Sequence, residues 1–244
     1  MVKKLKNKSI NFDINRSKRA TRPRIDVNMR GVKVVIPKGS GLDPQKLIEE
    51  KRDWIEEKLE KFEQHREKIP ERKFEAGATW PFLGEELQLK VSDSIKNRGG
   101  EREMGRRGNG GRKIKLSQKW VEKNSIEEEL ELFYREAARE YLTGLVEEWG
   151  EKIHVDYNKL YIRNQRTKWA SCSGKANLSF NFRLMMAPPA VVEYIVIHEL
   201  CHLKRHNHGP KFKRLLAEYC PDFEKYEDWL EENSVRLIFT EEDL

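Results

Sequence analysis

Cysteine and long apolar runs are both scarce in this sequence. Among 244 residues there are only three cysteines, and they show no disulfide-framework pattern, which favours a reducing compartment. No apolar run approaches the roughly 20 residues that a membrane span needs. The first residues, Met1 to Lys6, also lack the apolar core of a signal peptide. We therefore expect a cytoplasmic protein that does not contact membranes.

Charge is abundant and unevenly placed. The formal net charge is +7. Residues 1–38 hold twelve Lys and Arg against two Asp, and residues 96–115 hold eight against two Glu, so the rest of the chain is acidic. Basic segments attract phosphate groups, which makes nucleic acid a candidate partner. Charge runs of this kind are more often solvated tails and loops, and we prefer that interpretation.

The stretch 97–111 is rich in glycine and arginine. It contains six of the fifteen glycines and shows no apolar period, so it is typical of a flexible loop. An RNA contact is an alternative, but the stretch lacks the aromatic side chains that usually stack on bases. Lys113 to Leu116 is predicted to resume a strand, which would make the stretch the tip of a long hairpin.

Alternating apolar residues predict two β-hairpins in the first half of the chain. The first covers residues 22–37 and the second residues 79–91. Between them, Asp43 as N-cap and Pro44 at the first position predict a helix that runs to about residue 65.

The second half of the chain is predicted to be mainly helical. Ser125 and Glu128 form a capping box that opens a long amphipathic helix, predicted to end at Gly150. The fold class is therefore predicted as α+β. We expect a basic, β-rich N-terminal domain over residues 1–120, built from antiparallel β-hairpins with a helix. A mainly helical domain follows over residues 121–244.

The most informative motif is an HExxH pentapeptide. On a helix, His198 and His202 lie one turn apart on the same face, where two imidazoles can hold one Zn²⁺. Glu199 points about 100° away around the helix, which suits a group that contacts a metal-bound water. Cys201 faces away from the histidines and is predicted in the core. Cys172 is a weaker metal-ligand alternative.

A catalytic zinc site needs a third protein ligand and an open position. His206 lies eight residues past His198, about 12 Å along an unbroken helix, which is too far. His208 precedes Gly209-Pro210, where the chain can turn back. The sequence therefore predicts His198, His202 and His208 as the ligands, with His206 on the surface.

Three ordered segments resemble the YgjP-like and SprT-like zinc metallopeptidases. They are Arg163 to Ser173, Leu178 to Leu184 with Pro188, and His208 to Phe212. Two departures are mild: Ala170 stands where the family usually has Gly, and Lys168-Trp169 stands where it has Arg-Trp. The resemblance implies that the second domain is zincin-like. It also implies that the strand before the metal-binding helix borders the cleft and that substrate can pair with its edge.

The resemblance also implies that the segment starting at Arg163 borders the cleft. Arg163, Arg166 and Lys168 are therefore candidates for binding substrate or stabilising the oxyanion. The alternative is that these cations pair with surface carboxylates. Asn181 is a further candidate for positioning a substrate or a ligand loop.

These features predict a zinc metallopeptidase that hydrolyses peptide bonds with one Zn²⁺ per chain. Zinc held by three neutral imidazoles lowers the pKa of its bound water toward 7, and Glu199 would act as general base on that water. Protein or peptide would be the substrate. One alternative is a SprT-like protease or factor recruited to nucleic acid through the basic segments. Another is a structural zinc site, although such sites are normally closed by four ligands.

Overall fold

The computed structural model describes residues 10–99, 113–240 and 243. These residues divide between two compact units, with the boundary between Pro70 and Glu71. Most of the predicted glycine- and arginine-rich loop at 97–111 lies outside the described residues, and so do residues 1–9 of the basic N-terminal segment.

The first unit is a small sheet with two helices. Its elements are β1 (Phe12–Ser17), β2 (Arg24–Asn28), β3 (Gly31–Pro37), α1 (Pro44–Glu50) and α2 (Arg52–Arg66). The strand order is β1-β3-β2, and the core consists of apolar residues from β3 and the two helices. These are Val32, Val34, Ile36, Ile48 and Ile55.

Two details of this unit differ from the sequence prediction. The β2–β3 hairpin is present, but β1 pairs with β3 in parallel, so the sheet is mixed and not antiparallel. The strand β1 was not predicted and is largely exposed, although Phe12 and Ile14 alternate with polar residues in its sequence. The single predicted helix is divided at Lys51 into α1 and α2, and Asp43 caps α1 through the N–H of Gln45 at 3.0 Å.

The second unit contains two three-stranded sheets and five helices among its described residues. The first sheet has β4 (Thr79–Phe82), β5 (Glu85–Ser92) and β6 (Lys113–Ser117), and the second has β7 (Lys159–Arg163), β8 (Ala170–Cys172) and β9 (Asn177–Asn181). The helices are α3 (Gln118–Lys123), α4 (Ile126–Ile153), α5 (Pro189–Lys204), α6 (Pro210–Tyr219) and α7 (Phe223–Asn233). Two 3₁₀ segments cover Phe182–Met186 and Ser234–Leu237.

The first sheet shares its hydrophobic core with the helices of the second unit. Trp80, Phe82 and Leu89 pack in one buried cluster with residues of α4 and α5. The turn between β4 and β5 also contacts the segment before α5, because the Leu83 N–H donates to the Met185 carbonyl at 2.7 Å. The structure therefore places β4, β5 and β6 with the helical part of the chain, whereas the sequence places the boundary after residue 120.

The predicted strand at 113–116 is present as β6, but it does not close a long hairpin. It pairs with β5 in parallel, with Leu89 opposite Ile114. Parallel strands cannot be joined by a tight turn and need a longer crossover. The strands β5 and β6 are therefore not the two arms of one hairpin.

The long helix α4 begins as predicted and ends later. A backbone N–H of its first turn donates to Ser125 Oγ at 3.1 Å, as expected of a capping box. The helix continues past Gly150 and ends at Ile153, followed by His154 as C-cap with a left-handed φ of 56°. A Cβ on Gly150 would lie 3.3 Å from the Val155 carbonyl oxygen. This glycine therefore allows a close backbone approach inside the helix.

None of the helices in residues 10–99, 113–240 and 243 combines the length and the apolar character of a membrane span.

Candidate metal centre

Helix α5 presents two of the predicted ligands on one face. Pro189 occupies its first turn, where the missing N–H costs nothing. One side of the helix is fully buried through Val192, Val196 and Leu200. This anchoring fixes the orientation of His198 and His202, whose Nε2 atoms lie 3.2 Å apart.

The loop after α5 brings His208 to the same point. The helix ends at Lys204, earlier than the predicted break near Gly209-Pro210, and Arg205 adopts an extended conformation. The chain then turns so that His208 Nε2 lies 3.0 Å from Nε2 of both His198 and His202. His206 is exposed.

The three Nε2 atoms fit one divalent ion. Three ligands of a tetrahedral zinc at about 2.0–2.1 Å stand about 3.3–3.4 Å apart, close to the 3.0–3.2 Å found here. Among the described residues, these histidines form the group of ligand-type side chains whose atoms all lie within 4.8 Å of one another. A cation at their centre removes the repulsion among three converging lone pairs.

The other ring nitrogens of two histidines are held by hydrogen bonds. His202 Nδ1 lies 3.1 Å from the Arg205 carbonyl oxygen, to which it donates. His198 Nδ1 lies 3.3 Å from the Tyr194 hydroxyl. A proton on Nδ1 leaves Nε2 as a lone-pair donor, which is the tautomer that a metal ligand needs.

Burial favours the neutral form of two of the histidines, His198 and His202. Burial, together with the neighbouring His202 and His208, lowers the pKa of His198 to about 3. Burial also lowers the pKa of His202, although its hydrogen bond to the Arg205 carbonyl acts in the opposite direction. Neutral imidazoles are the form that binds metal ions, so protons compete weakly for these ligands near neutral pH.

Phe212 of α6 supports all three imidazoles from one side. Its ring centroid lies 5.0 Å from that of His198, 4.5 Å from that of His202 and 5.0 Å from that of His208. Phe212 is itself buried in the core of the second unit. The ligand side chains therefore rest on a rigid apolar surface.

Glu199 follows His198 on α5, and one of its carboxylate oxygens has no hydrogen-bond partner in the protein. Its side chain is buried, and the unpartnered oxygen is Oε2. Burial raises the pKa of its carboxyl to about 7, while the charge of Lys168 and a hydrogen bond from the Cys172 backbone N–H act in the opposite direction. An unpartnered buried carboxylate oxygen next to a ligand cluster is suited to handling a proton there.

The model of the YgjP-like metallopeptidase domain matches residues 21–233. The chain belongs to the YgjP-like metallopeptidase family. This membership implies a metal ion, and the three converging histidines are suited to hold it.

Two solved structures resemble part of this YgjP-like chain, and both are metallopeptidase zymogens. Abylysin of Pyrococcus abyssi is 23% identical, with a TM-score of 0.36 over 39% of this chain and 96% of that one. Jannalysin of Methanocaldococcus jannaschii is 25% identical, with a TM-score of 0.35 over 38% and 96%. No curated protein matches the sequence.

The three candidate cations of this YgjP-like chain occupy different surroundings. All three side chains are exposed. The charge of Lys168 acts on Glu199 and favours its ionised form. Arg163 lies over the Tyr161 ring at 4.9 Å. Arg166 is exposed in the loop between β7 and β8. Of the three, Lys168 is therefore linked to the candidate catalytic carboxylate.

Asn181 holds the loop that carries Lys168. The Asn181 side chain is fully buried, and its Nδ2 donates to the carbonyl oxygens of Gln165 at 2.7 Å and Lys168 at 3.4 Å. Its Oδ1 accepts from the Arg183 backbone N–H at 3.0 Å. These bonds favour the loop-positioning alternative for Asn181 over direct substrate contact.

Arg183 and Asp243 contribute to the same loop and were not singled out from the sequence. The buried Arg183 guanidinium donates to the Gln165 carbonyl at 3.0 Å and lies 3.7 Å from Asp243 Oδ2. Asp243 Oδ1 accepts from Asn164 Nδ2 at 2.9 Å. Little in the sequence indicated this pair, because an isolated arginine and a distant aspartate form no recognisable spacing pattern.

The cysteines are all free thiols. Cys201 is fully buried, as predicted. Cys172 lies on β8 near Glu199, and burial together with the Glu199 charge raises the pKa of its thiol to about 11. Its Sγ points to the Ser173 carbonyl at 3.7 Å. A protonated thiol is a poor metal ligand, which disfavours Cys172 in that role.

Proposed function

We propose that this YgjP-like chain is a zinc metallopeptidase that hydrolyses peptide bonds, with His198, His202 and His208 as metal ligands and Glu199 as general base. The observation that carries the proposal is the convergence of three Nε2 atoms, together with the buried, unpartnered carboxylate oxygen of Glu199, which follows His198 on α5. Three protein ligands leave a position for water or substrate, as in catalytic zinc sites. A structural site would normally have a fourth ligand.

The ligand types favour zinc among divalent ions. Imidazoles suit zinc, and three of them with a nearby carboxylate are found in zinc hydrolases. When bound, zinc supplies Lewis-acid chemistry, which makes water a stronger nucleophile at neutral pH and polarises a carbonyl group.

Glu199 has the environment of a proton carrier. Its Oε2 takes a proton from the attacking water and passes it to the leaving amine, which requires a carboxyl that gains and loses a proton near neutral pH. Burial raises its pKa to about 7, which meets that requirement. Lys168, whose charge reaches Glu199, keeps part of the population ionised and ready to accept the proton.

Substrate binding is proposed along β8. This strand lies at one edge of the β7-β9-β8 sheet, and its Cys172 N–H faces Glu199. An extended peptide that adds to an edge strand gains main-chain hydrogen bonds without a fixed sequence. Such pairing would place a scissile bond beside Glu199 and the three histidines.

Measurements of metal content and of hydrolysis together test the proposal. Wild-type protein is expected to contain about one zinc per chain by elemental analysis, because three ligands converge on one point. His208→Ala should lose or weaken that zinc. Glu199→Gln should keep the zinc and lose the hydrolysis of an unstructured protein such as casein.

The outcomes separate the two parts of the proposal. A wild-type protein without zinc, even after reconstitution, would contradict the metal centre and with it the enzyme. Full turnover by zinc-loaded Glu199→Gln would contradict only the role of Glu199.

A further inference from the structure

A tyrosine and a carboxylate extend the metal centre beyond its ligands. Tyr194 lies one helical turn before His198 on α5, and its hydroxyl is 3.3 Å from His198 Nδ1. The same hydroxyl donates a hydrogen bond of 3.1 Å to Glu227 Oε1 on α7. These two bonds link a ligand imidazole to a carboxylate that is 29 residues further along the chain.

The direction of the bonds follows from the position of the ligand nitrogen. His198 Nε2 faces the other two histidines at 3.0 and 3.2 Å and must carry its lone pair there to bind a metal. The ring proton then sits on Nδ1 and is donated to the Tyr194 oxygen. The Tyr194 oxygen can accept this hydrogen bond because the proton of its own hydroxyl is donated to Glu227. Each donor in the chain from His198 to Glu227 is then paired with an acceptor.

We propose that Tyr194 and Glu227 are positioning residues that fix the tautomer and orientation of His198 for metal binding. Glu227 acts only through the Tyr194 hydroxyl. The inference rests on the proposed metal centre and adds two residues that the HExxH motif does not contain.

His198 needs such support more than His202 does. The Nδ1 partner of His202 is the carbonyl of Arg205, which the end of α5 itself provides. The partner of His198 is a side chain, so its orientation depends on how that side chain is held. Tyr194 is held by its ring, which stacks on Tyr226 at 5.9 Å and 28°.

The ring packing of Tyr194 allows its hydroxyl to be removed while the ring contacts are kept. The Tyr194 ring also contacts the His198 ring edge-on, with centroids 5.8 Å apart. Tyr194→Phe keeps both ring contacts and removes the hydroxyl alone. Glu227→Gln keeps the size of the side chain and removes the anionic acceptor.

The test measures the zinc dissociation constant by competition with a chromogenic chelator. Tyr194→Phe is expected to weaken zinc binding roughly 10- to 100-fold, the range found when a partner of a metal-ligating histidine is removed. Glu227→Gln should weaken it in the same direction. The double variant should bind zinc as Tyr194→Phe does, because Glu227 has no route to His198 without the hydroxyl.

Two control variants match these substitutions. Glu193→Gln changes the carboxylate next to Tyr194, which pairs with Trp149 Nε1 at 2.9 Å. Tyr226→Phe removes the hydroxyl of the ring stacked on Tyr194. Both should change the zinc dissociation constant by no more than roughly twofold, as expected of substitutions away from the site.

A second measurement follows the ring proton of His198 directly. In the zinc-loaded wild type, long-range ¹H–¹⁵N correlation should show His198 with its proton on Nδ1 and that proton protected from exchange. Tyr194→Phe should expose the proton to exchange, and Glu227→Gln should shift its resonance. A loss of packing alone would not produce the shift.

The possible failures are distinct. Zinc binding by the wild type with unchanged affinity in Tyr194→Phe would overturn the positioning role and leave the metal centre standing. A further loss on adding Glu227→Gln to Tyr194→Phe would overturn the claim that Glu227 acts through the hydroxyl. Absence of zinc binding in the wild type would overturn the metal centre and this inference together.

Discussion

Phe212 of α6 and His202 of α5 stack nearly face to face, with an angle of 25° between their rings. Phe212 also packs edge-on against His198 and His208. The three proposed ligands are thus held by apolar packing, and two of them also by hydrogen bonds. A site of this kind is preorganised, so its metal affinity depends on a residue that binds no metal.

Replacing Phe212 should therefore affect stability and zinc binding together. Phe212→Ala is expected to lower the free energy of unfolding by about 3–5 kcal/mol, because it leaves a cavity in the core. It should also weaken zinc binding at least about tenfold, because the imidazoles lose their support. Denaturant unfolding in chelator and zinc competition measure the two effects.

Leu216→Ala on the same helix is the matched control, since Leu216 is buried but is not part of the ring cluster. It should lose comparable stability and keep its zinc affinity. Equal losses of zinc affinity in both variants would show that Phe212 acts through general stability alone.

Glu199 should make the metal-free protein less stable as the pH rises. Its carboxyl pKa is raised from 4.5 to about 7 in the folded protein. A raised carboxyl pKa contributes stability that is present below the unfolded value and lost as the pH passes through the folded one. Relative to Glu199→Gln, the wild type should therefore lose about 3 kcal/mol of unfolding free energy between about pH 5 and about pH 8.

Denaturant unfolding of both proteins in chelator, at each pH, measures that difference. Other titrating groups are common to the two proteins and cancel. If the unfolding free energies of the two proteins changed in parallel with pH, burial would not perturb the pKa of Glu199.

Lys168 should tune the pH dependence of hydrolysis. Its charge lowers the pKa of Glu199, so Lys168→Met should raise that pKa and move the acid limb of the kcat/KM profile to higher pH. Because Lys168 is exposed, the effect should shrink at high salt. Arg166→Met, in the same loop, is the control and should leave the limb in place. An unmoved limb in Lys168→Met would remove Lys168 from the proposed mechanism.

The Arg183–Asp243 ion pair should be costly to break. Both side chains are almost completely buried, and removing one partner leaves an uncompensated charge. Asp243→Asn is expected to lower the unfolding free energy by about 3 kcal/mol and to reduce hydrolysis more than zinc content, since the loop near Lys168 loses an anchor. Adding Arg183→Met should recover part of the stability.

An exposed pair provides the comparison for this prediction. Arg24 and Asp26 lie 3.0 Å apart with 63% and 40% of their side chains exposed, so Asp26→Asn should cost less than about 1 kcal/mol. Similar costs for Asp26→Asn and Asp243→Asn, measured by denaturant unfolding, would contradict the role assigned to burial.

The sequence predicted that His198, His202 and His208 lie together because their geometry is local. One helical turn separates His198 from His202. A break in the helix before His208 was also predicted, although α5 ends at Lys204 and not at Gly209-Pro210. The YgjP-like family is confirmed by the match over residues 21–233. The roles of Glu199 and the metal ligands, the zinc itself and the cytoplasmic location stay predictions.

What the sequence did not predict depends on contacts between distant segments. Glu227 reaches His198 only because α7 packs near α5, and no spacing rule connects the two. The parallel pairing of β1 with β3 and of β5 with β6 was also not predicted. Alternation of apolar and polar residues indicates a strand, but it does not indicate which strand pairs with it. Tyr194 could have been noticed, since it lies four residues before a ligand on the same face.

The three ligands come from one short stretch of chain, while Lys168, Cys172 and Glu227 come from elsewhere. Closing a short loop costs little conformational entropy, so the turn after α5 brings His208 to the other two histidines at low cost. The surroundings of the general base require the β-sheet and the buried loop to be in place as well. Loosening of the β-sheet or of the loop that carries Lys168 is therefore expected to impair the proposed hydrolysis before it weakens metal binding.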